Sequence, residues 1–300
     1  QAPNRSIYRS NATGKWEVYA WDRVTGSVRQ VTDQPKGTRY AAIDPTGQWI
    51  YWFADTDGDE LGGWWRQPFT GGASEPIATD LEPGQPSGIG LSITGSAAIS
   101  LAGGDKFRVH LVRPGEPTET LYEHTEAAWV AAMSLDGSLI AVNHGEYGDF
   151  RHPALRVVRP NGRTVGELYD GPRKGVTGLS FAPVAGDRRL LALHERRQRS
   201  EPLVWDPVTG EQREIWLRDS GDLAAEWYDD GRGLLILRDH RARTYLHRYD
   251  LRGGGLTPIE TPHGVIEEAA PRPGGQVEYL WSSASRPPVI RSTSGQVVLN

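Results

Sequence analysis

The chain has 300 residues, of which 37% are hydrophobic and 24% charged, and its formal net charge is −5. This composition permits a buried core and excludes a disordered tail. A mildly acidic chain lacks the basic surface that nucleic acids require, and no apolar run approaches the roughly 18 residues of a membrane span. The absence of cysteine excludes disulfides, thiolate metal sites and a cysteine nucleophile. We therefore expect a cytoplasmic protein with no nucleic-acid partner and no membrane partner.

Glycine-containing turns recur along the chain in two interleaved series, each with a period of roughly 45 residues. The first series begins at Gly26 and the second at Gly47. Between the turns lie short apolar runs such as Trp49–Phe53 and Leu234–Leu237, which are typical of strands buried between packed sheets. Two turn series with one period predict an all-β fold, a seven-bladed β-propeller of four-stranded antiparallel blades.

The predicted blades follow one another in a single domain, 1–300, and cover approximately 5–34, 38–82, 86–124, 128–170, 175–219, 222–262 and 265–299. The first unit has only three predicted strands because its innermost strand is missing. The last unit completes its own four strands with Val297–Leu299. Neither end of the chain then finishes the blade at the other end. We therefore predict a ring without full closure by terminal strands, with an exposed edge between the first and last blades.

Small residues recur in the predicted innermost strands, as in Ala41-Ala42 and Ala131-Ala132, because these strands crowd toward the axis of a propeller. Glu226, Glu267 and Glu268 lie at or beside innermost strands and are candidates for the wall of the central channel. Carboxylates in this position could attract the amino terminus of a peptide. The alternative is that they face bulk solvent or pair with nearby arginines.

Charged residues concentrate in the connections between the second and third strands of four blades, and functional residues usually lie on the longer loops of a rigid scaffold. Blade two is acidic here, whereas blades four, five and six are rich in arginine and histidine. Such a rim suits docking to a protein or binding of the charged ends of a peptide. The alternative is a set of solvated loops with no partner. The candidate docking residues are Asp55, Asp57, Asp59, Glu60, His144, Glu146, His152, His194, Glu195, Arg196, Arg197, Arg199, Asp239, His240, Arg241 and Arg243.

The acidic run Asp55–Glu60 resembles a calcium loop in composition but not in spacing. An EF-hand loop requires glycine at its sixth position and glutamate at its twelfth, and this sequence has Glu60 and Arg66 there. A turn capped by its own carboxylates is the alternative. His144 and His152 have no third ligand at a fixed spacing. We therefore predict no metal site and no cofactor.

Motifs for catalysis are absent from the sequence. There is no Gly-x-Ser-x-Gly turn and no glycine-rich phosphate loop before a helix. Nothing combines a nucleophile, a base and an oxyanion hole, so we predict no catalytic residue in this chain. Tryptophans in predicted strands are assigned to packing between sheets; these are Trp49, Trp52, Trp64, Trp65, Trp205 and Trp281.

Two turns of the sequence Asp-x-x-Thr-Gly, within Trp21–Gly26 and Trp205–Gly210, resemble the outer turns of TolB-type propellers. More specific stretches resemble the N-terminal propeller of bacterial serine peptidases of the prolyl oligopeptidase family, including the acylaminoacyl-peptidases. These stretches are Trp52–Glu60, Trp64–Phe69, Tyr279–Ala284 and Pro287–Ser292. The resemblance covers essentially the whole chain. It implies a propeller that caps an α/β-hydrolase domain, which carries the catalytic Ser, Asp and His, so none of these residues maps onto this chain.

The resemblance implies a non-catalytic domain that gates access of peptides and docks to an α/β-hydrolase domain, in cis or as a separate chain. Whether the protein is an enzyme then depends on that domain. A second interpretation is a stand-alone propeller that binds a small molecule or peptide, with or without an enzymatic activity acquired in its channel. A third is a protein-interaction scaffold. Fold alone does not decide among them.

Overall fold

The computed structural model describes residues 4–55, 57–217 and 221–299. These residues form seven antiparallel sheets, each made of strands that are consecutive in the chain. Blade 1 has three strands, β1 (Arg5–Ser10), β2 (Glu17–Asp22) and β3 (Val28–Gln30). The other blades have four strands each. The predicted seven-bladed propeller with TolB-like repeats is confirmed, as is the shortened first blade.

The strands of the four-stranded blades run outward from the axis in chain order. Blade 2 comprises β4 (Ala41–Ile43), β5 (Trp49–Ala54), β6 (Gly63–Pro68) and β7 (Glu75–Pro76). Blade 3 comprises β8 (Gln85–Leu91), β9 (Ala97–Gly103), β10 (Lys106–Val112) and β11 (Glu119–His124). Blade 4 comprises β12 (Ala128–Met133), β13 (Ile140–His144), β14 (Ala154–Val158) and β15 (Thr164–Leu168).

Blade 5 comprises β16 (Val176–Phe181), β17 (Leu190–His194), β18 (Glu201–Trp205) and β19 (Gln212–Glu214). Blade 6 comprises β20 (Asp222–Trp227), β21 (Gly233–His240), β22 (Arg243–Asp250) and β23 (Leu256–Ile259). Blade 7 comprises β24 (Val265–Pro271), β25 (Val277–Ser283), β26 (Arg286–Ser292) and β27 (Val297–Leu299), with a short 3-10 turn at Pro273–Gly275.

Apolar side chains fill the seams between consecutive blades. The second strands are buried on both faces, since each of their faces packs against a neighbouring blade, which explains continuous apolar runs such as Leu234–Leu237. Each of six seams has its own cluster of buried side chains; pairs across the seams from blades 1–2 to blades 6–7 are Val18 and Ile50, Phe53 and Ile99, Val109 and Val142, Leu155 and Leu190, Leu191 and Ile236, and Leu246 and Tyr279.

The seam between blades 7 and 1 is held by ionic groups. Glu278 on β25 is only 5% exposed and accepts hydrogen bonds from Arg23 of blade 1 and from Arg272 of its own blade, the latter at 2.7 Å. Arg272 also donates to Ser6 Oγ at 3.1 Å. Among the described residues, no strand pairing and no buried apolar cluster joins these two blades. The ring is therefore not closed by its terminal strands, as predicted.

The channel wall has two unlike halves. In blades 3 to 5 the innermost strands approach so closely that a Cβ on Gly88 would lie 2.3 Å from the Val130 carbonyl oxygen, and one on Gly178 would lie 2.7 Å from Leu155 Cδ1. In blades 6 and 7 the innermost strands instead carry exposed glutamates. The first half confirms the steric reason for small residues near the axis, and the second half leaves room for charged side chains.

Candidate functional site

We use the term loop face for the end of the ring that carries the connections between second and third strands. These connections are eight, nine and six residues long in blades 2, 4 and 5, from β5 to β6, β13 to β14 and β17 to β18. The expectation of a long loop in blade 6 is wrong. There Arg241 and Ala242 form a two-residue turn with φ angles of 51° and 59°, which matches the twist of a hairpin. The turn leaves Asp239, His240 and Arg243 inside the strands.

The acidic connection of blade 2 folds around one of its own carboxylates. Asp55 accepts hydrogen bonds from the backbone N–H groups of Gly58, at 2.7 Å, and Glu60, at 3.1 Å. Asp59 accepts one from Leu61 N–H at 3.0 Å. Asp57 and Glu60 are exposed, and Glu60 lies 3.7 Å from Arg39. This is the self-capped turn that the sequence left as the alternative to calcium binding.

His144 is not a loop residue. It ends β13 and is fully buried, so it takes no part in an exposed rim, and neither of its ring nitrogens has a hydrogen-bond partner. Burial lowers the pKa of His144, and the nearby Arg156 guanidinium lowers it further. The histidine is therefore a neutral part of the core.

Above His144 lies an ion-pair network centred on Arg156. This guanidinium donates to both oxygens of Glu146, at 2.6 and 2.9 Å, and to Glu167 at 2.6 Å. Tyr122 Oη also donates to Glu146, at 2.7 Å. Burial works to raise the pKa of Glu146, but the hydrogen bonds from Arg156 and Tyr122 outweigh it and hold that pKa at about 2. Glu146 is consequently engaged within its own blade.

The loops of blades 4 and 5 are linked through His152 and Glu195. His152 Nδ1 lies 2.8 Å from Asp149 Oδ2, and its Nε2 lies 3.7 Å from Glu195 Oε2. Glu195 also accepts a hydrogen bond from Gly175 N–H at 2.8 Å. The structure thus brings these two predicted residues together, in a contact that ties one blade to the next.

The arginine cluster of blade 5 neutralises a buried carboxylate. Glu201 at the start of β18 is fully buried and accepts hydrogen bonds from Arg197 at 2.5 Å and from Arg199 at 2.6 and 2.9 Å. Arg196 binds Asp170 and Glu214 at 2.6–3.0 Å. The cluster is therefore internally satisfied and not a free cationic patch.

His194 corrects the sequence prediction in the same way as His144. It is the last residue of β17 and is fully buried, where the sequence placed it in a loop. In blade 6, Asp239 accepts a hydrogen bond from Thr244 Oγ1 at 2.5 Å, and Arg243 contacts His263 at 2.8 Å. These residues, too, have partners within the chain.

The predicted channel glutamates lie where the sequence placed them. Glu226 alternates with the buried Ala225 and Trp227 along β20 and is exposed on the opposite side of the strand. Although solvent reaches it, the surrounding blades desolvate its carboxylate and raise the pKa of Glu226 to about 7. Glu267 lies in a β-bulge between Ile266 and Glu268, so the two consecutive glutamates of β24 are both exposed.

Sequence reasoning missed an aromatic group on the loop face of blade 4. The rings of Tyr147 and Tyr169 stack with centroids 3.9 Å apart, and Tyr147 donates a hydrogen bond to Glu167 at 2.6 Å. Tyr147 and Phe150 are 51% and 59% exposed. Exposed aromatic residues on a rigid scaffold are common in protein interfaces. Their presence in a loop dominated by charge was the only available signal.

Within the described ranges, no group of three or more His, Asp or Glu residues is placed to hold a metal ion. No helix in the same ranges is both long and apolar enough to cross a membrane. What the loop face and channel offer chemically is therefore binding: exposed acids in blade 2, exposed aromatic rings in blade 4 and a row of carboxylates along the inner wall of blades 6 and 7.

Comparison with protein-family models and with curated proteins found no match. Solved structures do match. A prolyl endopeptidase has a TM-score of 0.76 at 15% identity over 97% of this chain, which spans only 45% of that protein. The β-propeller domain of the Trilobed protease from Pyrococcus furiosus, with its open velcro topology, has a TM-score of 0.75 at 14% identity over 100% of this chain and 96% of that one.

An oligogalacturonate lyase in complex with manganese has a TM-score of 0.73 at 12% identity, over 98% of this chain and 86% of that one. Identities this low establish a shared fold and no shared activity. The chain is thus a seven-bladed β-propeller of the type found in prolyl endopeptidase and in the Trilobed protease.

Proposed function

We propose that this chain is the substrate-gating and docking propeller of a serine peptidase of the prolyl oligopeptidase family and is not catalytic by itself. The observation that carries the proposal is the ionic, unpaired seam between blades 7 and 1, in a fold that is similar to the open velcro propeller of a protease. A likeness that spans 45% of a prolyl endopeptidase leaves room in such a protein for a further domain. The proposed partner is an α/β-hydrolase domain, in cis or as a separate chain.

For the docking surface we propose a narrower set of residues than charge alone indicated. Arg196, Arg197 and Arg199 are satisfied by carboxylates of their own blade, so a partner would have to displace those contacts. The exposed acids Asp57, Asp59 and Glu60 of blade 2, together with the aromatic group of blade 4, have more side-chain surface to offer. Acidic rims steer association, and aromatic centres supply apolar contact area.

For gating we propose that peptides are attracted to the channel by its acidic half. Asp222, Glu226, Glu267 and Glu268 are all exposed on the innermost strands of two adjacent blades. No arginine contact is seen for Glu226, which desolvation alone perturbs. Closely spaced carboxylates favour a cationic group between them, and the free amino terminus of a peptide provides one.

The decisive test is the intact mass of the natural gene product, combined with an assay of that product and of the 300-residue chain on short chromogenic peptides. We expect the natural product to be heavier than 33.1 kDa, or to copurify with a hydrolase chain. It should cleave peptides and lose activity with a serine-directed phosphonate. The isolated chain should be inactive. A natural product of the same mass that has neither peptidase activity nor a hydrolase partner would overturn the proposal.

Peptide recognition in the channel has a separate test. A fluorescent hexapeptide with a free amino terminus should bind the chain more tightly than its N-acetylated form. The double change Glu267→Gln and Glu268→Gln should remove most of that difference. Glu116→Gln with Glu119→Gln is the matched control, since both glutamates lie in blade 3 beside Arg113, away from the inner strands. Equal binding of both peptides by the unmodified chain would contradict the channel assignment.

A second candidate, a stand-alone propeller with a small-molecule ligand, is favoured by one observation. The chain matches 86% of the oligogalacturonate lyase, nearly that protein's full length. The acidic channel wall argues against an oligogalacturonate ligand because carboxylates repel a polyanion. Mass spectrometry of oligogalacturonate incubated with the chain and Mn²⁺ distinguishes the two candidates, since shortened products support the lyase alternative and intact substrate excludes it.

A further inference from the structure

A cavity of about 410 Å³ lies in blade 2, where the acidic connection joins β5 to β6. Its wall is formed by the ends of these two strands, by the chain between β7 and β8, and by β9 of the neighbouring blade. None of the channel glutamates lines it. The lining side chains used below are Trp52, Trp64, Trp65, Leu81, Glu82 and Leu101.

Two hydrogen-bond donors of this wall are unused. Trp52 and Trp64 are 3% and 4% exposed, and the indole N–H of each is buried without a hydrogen-bond partner. A buried tryptophan normally finds a partner for its N–H group, because leaving such a donor unsatisfied is costly. Two unsatisfied donors in one cavity wall are not explained by packing between sheets, the role that the sequence assigned to these residues.

The backbone around the cavity keeps it open. Gly62 and Gly84 exchange two backbone hydrogen bonds of 3.2 Å, which tie the loop of blade 2 to the chain leading into blade 3. Only glycine permits this approach, since a Cβ on Gly62 would lie 1.8 Å from the Ala54 carbonyl oxygen. The next residue, Gly63, lines the cavity, and a Cβ there would meet no atom within 4 Å. The space beside Gly63 is therefore free.

The charge of the wall limits the ligand. Among the described residues that line the cavity there is no lysine, arginine or histidine, and Glu82 is the one charged side chain. An anion would be repelled and would find no cationic partner. Trp65, Leu81 and Leu101 provide apolar contact. The unused indole groups require an acceptor.

We propose that this cavity binds a small uncharged molecule with an apolar body and a carbonyl oxygen, which accepts hydrogen bonds from the indole N–H groups of Trp52 and Trp64. An N-acylated amide of an aliphatic amino acid has this chemistry. The site does not depend on a hydrolase partner, and it is separate from the acidic half of the channel.

N-acetyl-L-leucinamide is the probe, and titration calorimetry is the first measurement. We expect saturable binding to the chain and binding at least tenfold weaker for the anion N-acetyl-L-leucine. Gly63→Val should abolish binding by filling the cavity. Gly255→Val is the matched control, since Gly255 also has no atom within 4 Å of an added Cβ but lies outside the cavity.

Nuclear magnetic resonance of the ¹⁵N-labelled chain identifies the donors. Two of the indole N–H signals should shift on titration, and Trp52→Phe and Trp64→Phe should each remove one of them and weaken binding by about two- to tenfold. The proposal is overturned by absence of saturable binding to the unmodified chain, by unchanged binding to Gly63→Val, or by shifts confined to other indoles.

Discussion

The seam between blades 4 and 5 and the seam between blades 7 and 1 join similar sheets by different chemistry. The first is a cluster of fully buried aliphatic side chains such as Leu155, Leu190 and Leu203. The second depends on one carboxylate, Glu278, held by Arg23 and Arg272. Apolar burial contributes free energy in proportion to area and is not weakened by ordinary salt. An ion pair is directional, and its strength depends on charge state and on screening. The ring therefore has six seams of one kind and one that conditions can weaken alone.

The largest expected effect comes from breaking an apolar seam. Leu155→Ala should lower the free energy of unfolding by about 2–5 kcal/mol, because it removes a fully buried side chain and leaves a cavity. Urea denaturation followed by tryptophan fluorescence measures the loss. Leu256→Ala, at a residue 39% exposed, should cost less than about 1 kcal/mol. A loss from Leu155→Ala no larger than that of this control would refute the assignment of stability to the seam.

Breaking the ionic seam should cost less. Glu278→Gln keeps the shape of the side chain and removes the charge that both arginines share, so we expect a loss of about 1–2 kcal/mol. Amide hydrogen exchange should accelerate in β1 and β25 and remain unchanged in β13 and β17. The exposed pair partner Glu116→Gln serves as control. Uniform acceleration across all blades would show that this seam does not open separately from the others.

Salt should distinguish the two kinds of seam in the unmodified chain. Raising the NaCl concentration from about 0.01 M to about 1 M shortens the Debye length from roughly 30 Å to roughly 3 Å. Exchange in β1 and β25 should then increase by the equivalent of up to about 1 kcal/mol, whereas exchange at the seam of blades 4 and 5 should not. Equal protection at both salt concentrations would mean that the ionic contact contributes nothing measurable.

The smallest effect is expected in the acidic half of the channel. Burial raises the pKa of Glu226 from 4.5 to about 7 in the folded chain. The stability associated with this group is complete below pH 4.5 and is lost as the pH rises through about 7. Glu226→Gln should therefore stabilise the chain relative to the unmodified protein at pH 8 but not at pH 4, by a few tenths of a kcal/mol, since channel water screens the charge. Identical thermal midpoints of the two proteins at pH 8 would contradict the desolvation of Glu226.

The fold was predictable because each blade repeats its turn chemistry. Asp206 caps the turn that ends at Gly210 through the backbone N–H groups of Val208 and Thr209, and Asp22 does the same for Val24 and Thr25. Side-chain caps of this kind act within a few residues. A local interaction of this kind is visible in sequence, so the number of blades and the missing inner strand of blade 1 could be read without coordinates.

The site was less predictable because its chemistry depends on contacts between distant residues. Nothing near His144 in the sequence shows that β13 continues to that residue and buries it. The two-residue turn at Arg241 and Ala242 lacks the glycine or asparagine that normally marks such a hairpin. The sequence indicated burial of Trp52 and Trp64, but their missing hydrogen-bond partners are a property of the assembled wall.

The first blade, with its three strands, and the seventh, with its own four, leave the molecule without a shared sheet. In topological terms it is a linear array of seven hairpin-built units that curves until its ends meet. Such an array is governed by nearest-neighbour interfaces, and its folding can propagate from any unit. Because each sheet pairs only strands that are adjacent in sequence, loop-closure entropy stays small within each unit. Meeting of the ends is then the last and least cooperative step of assembly.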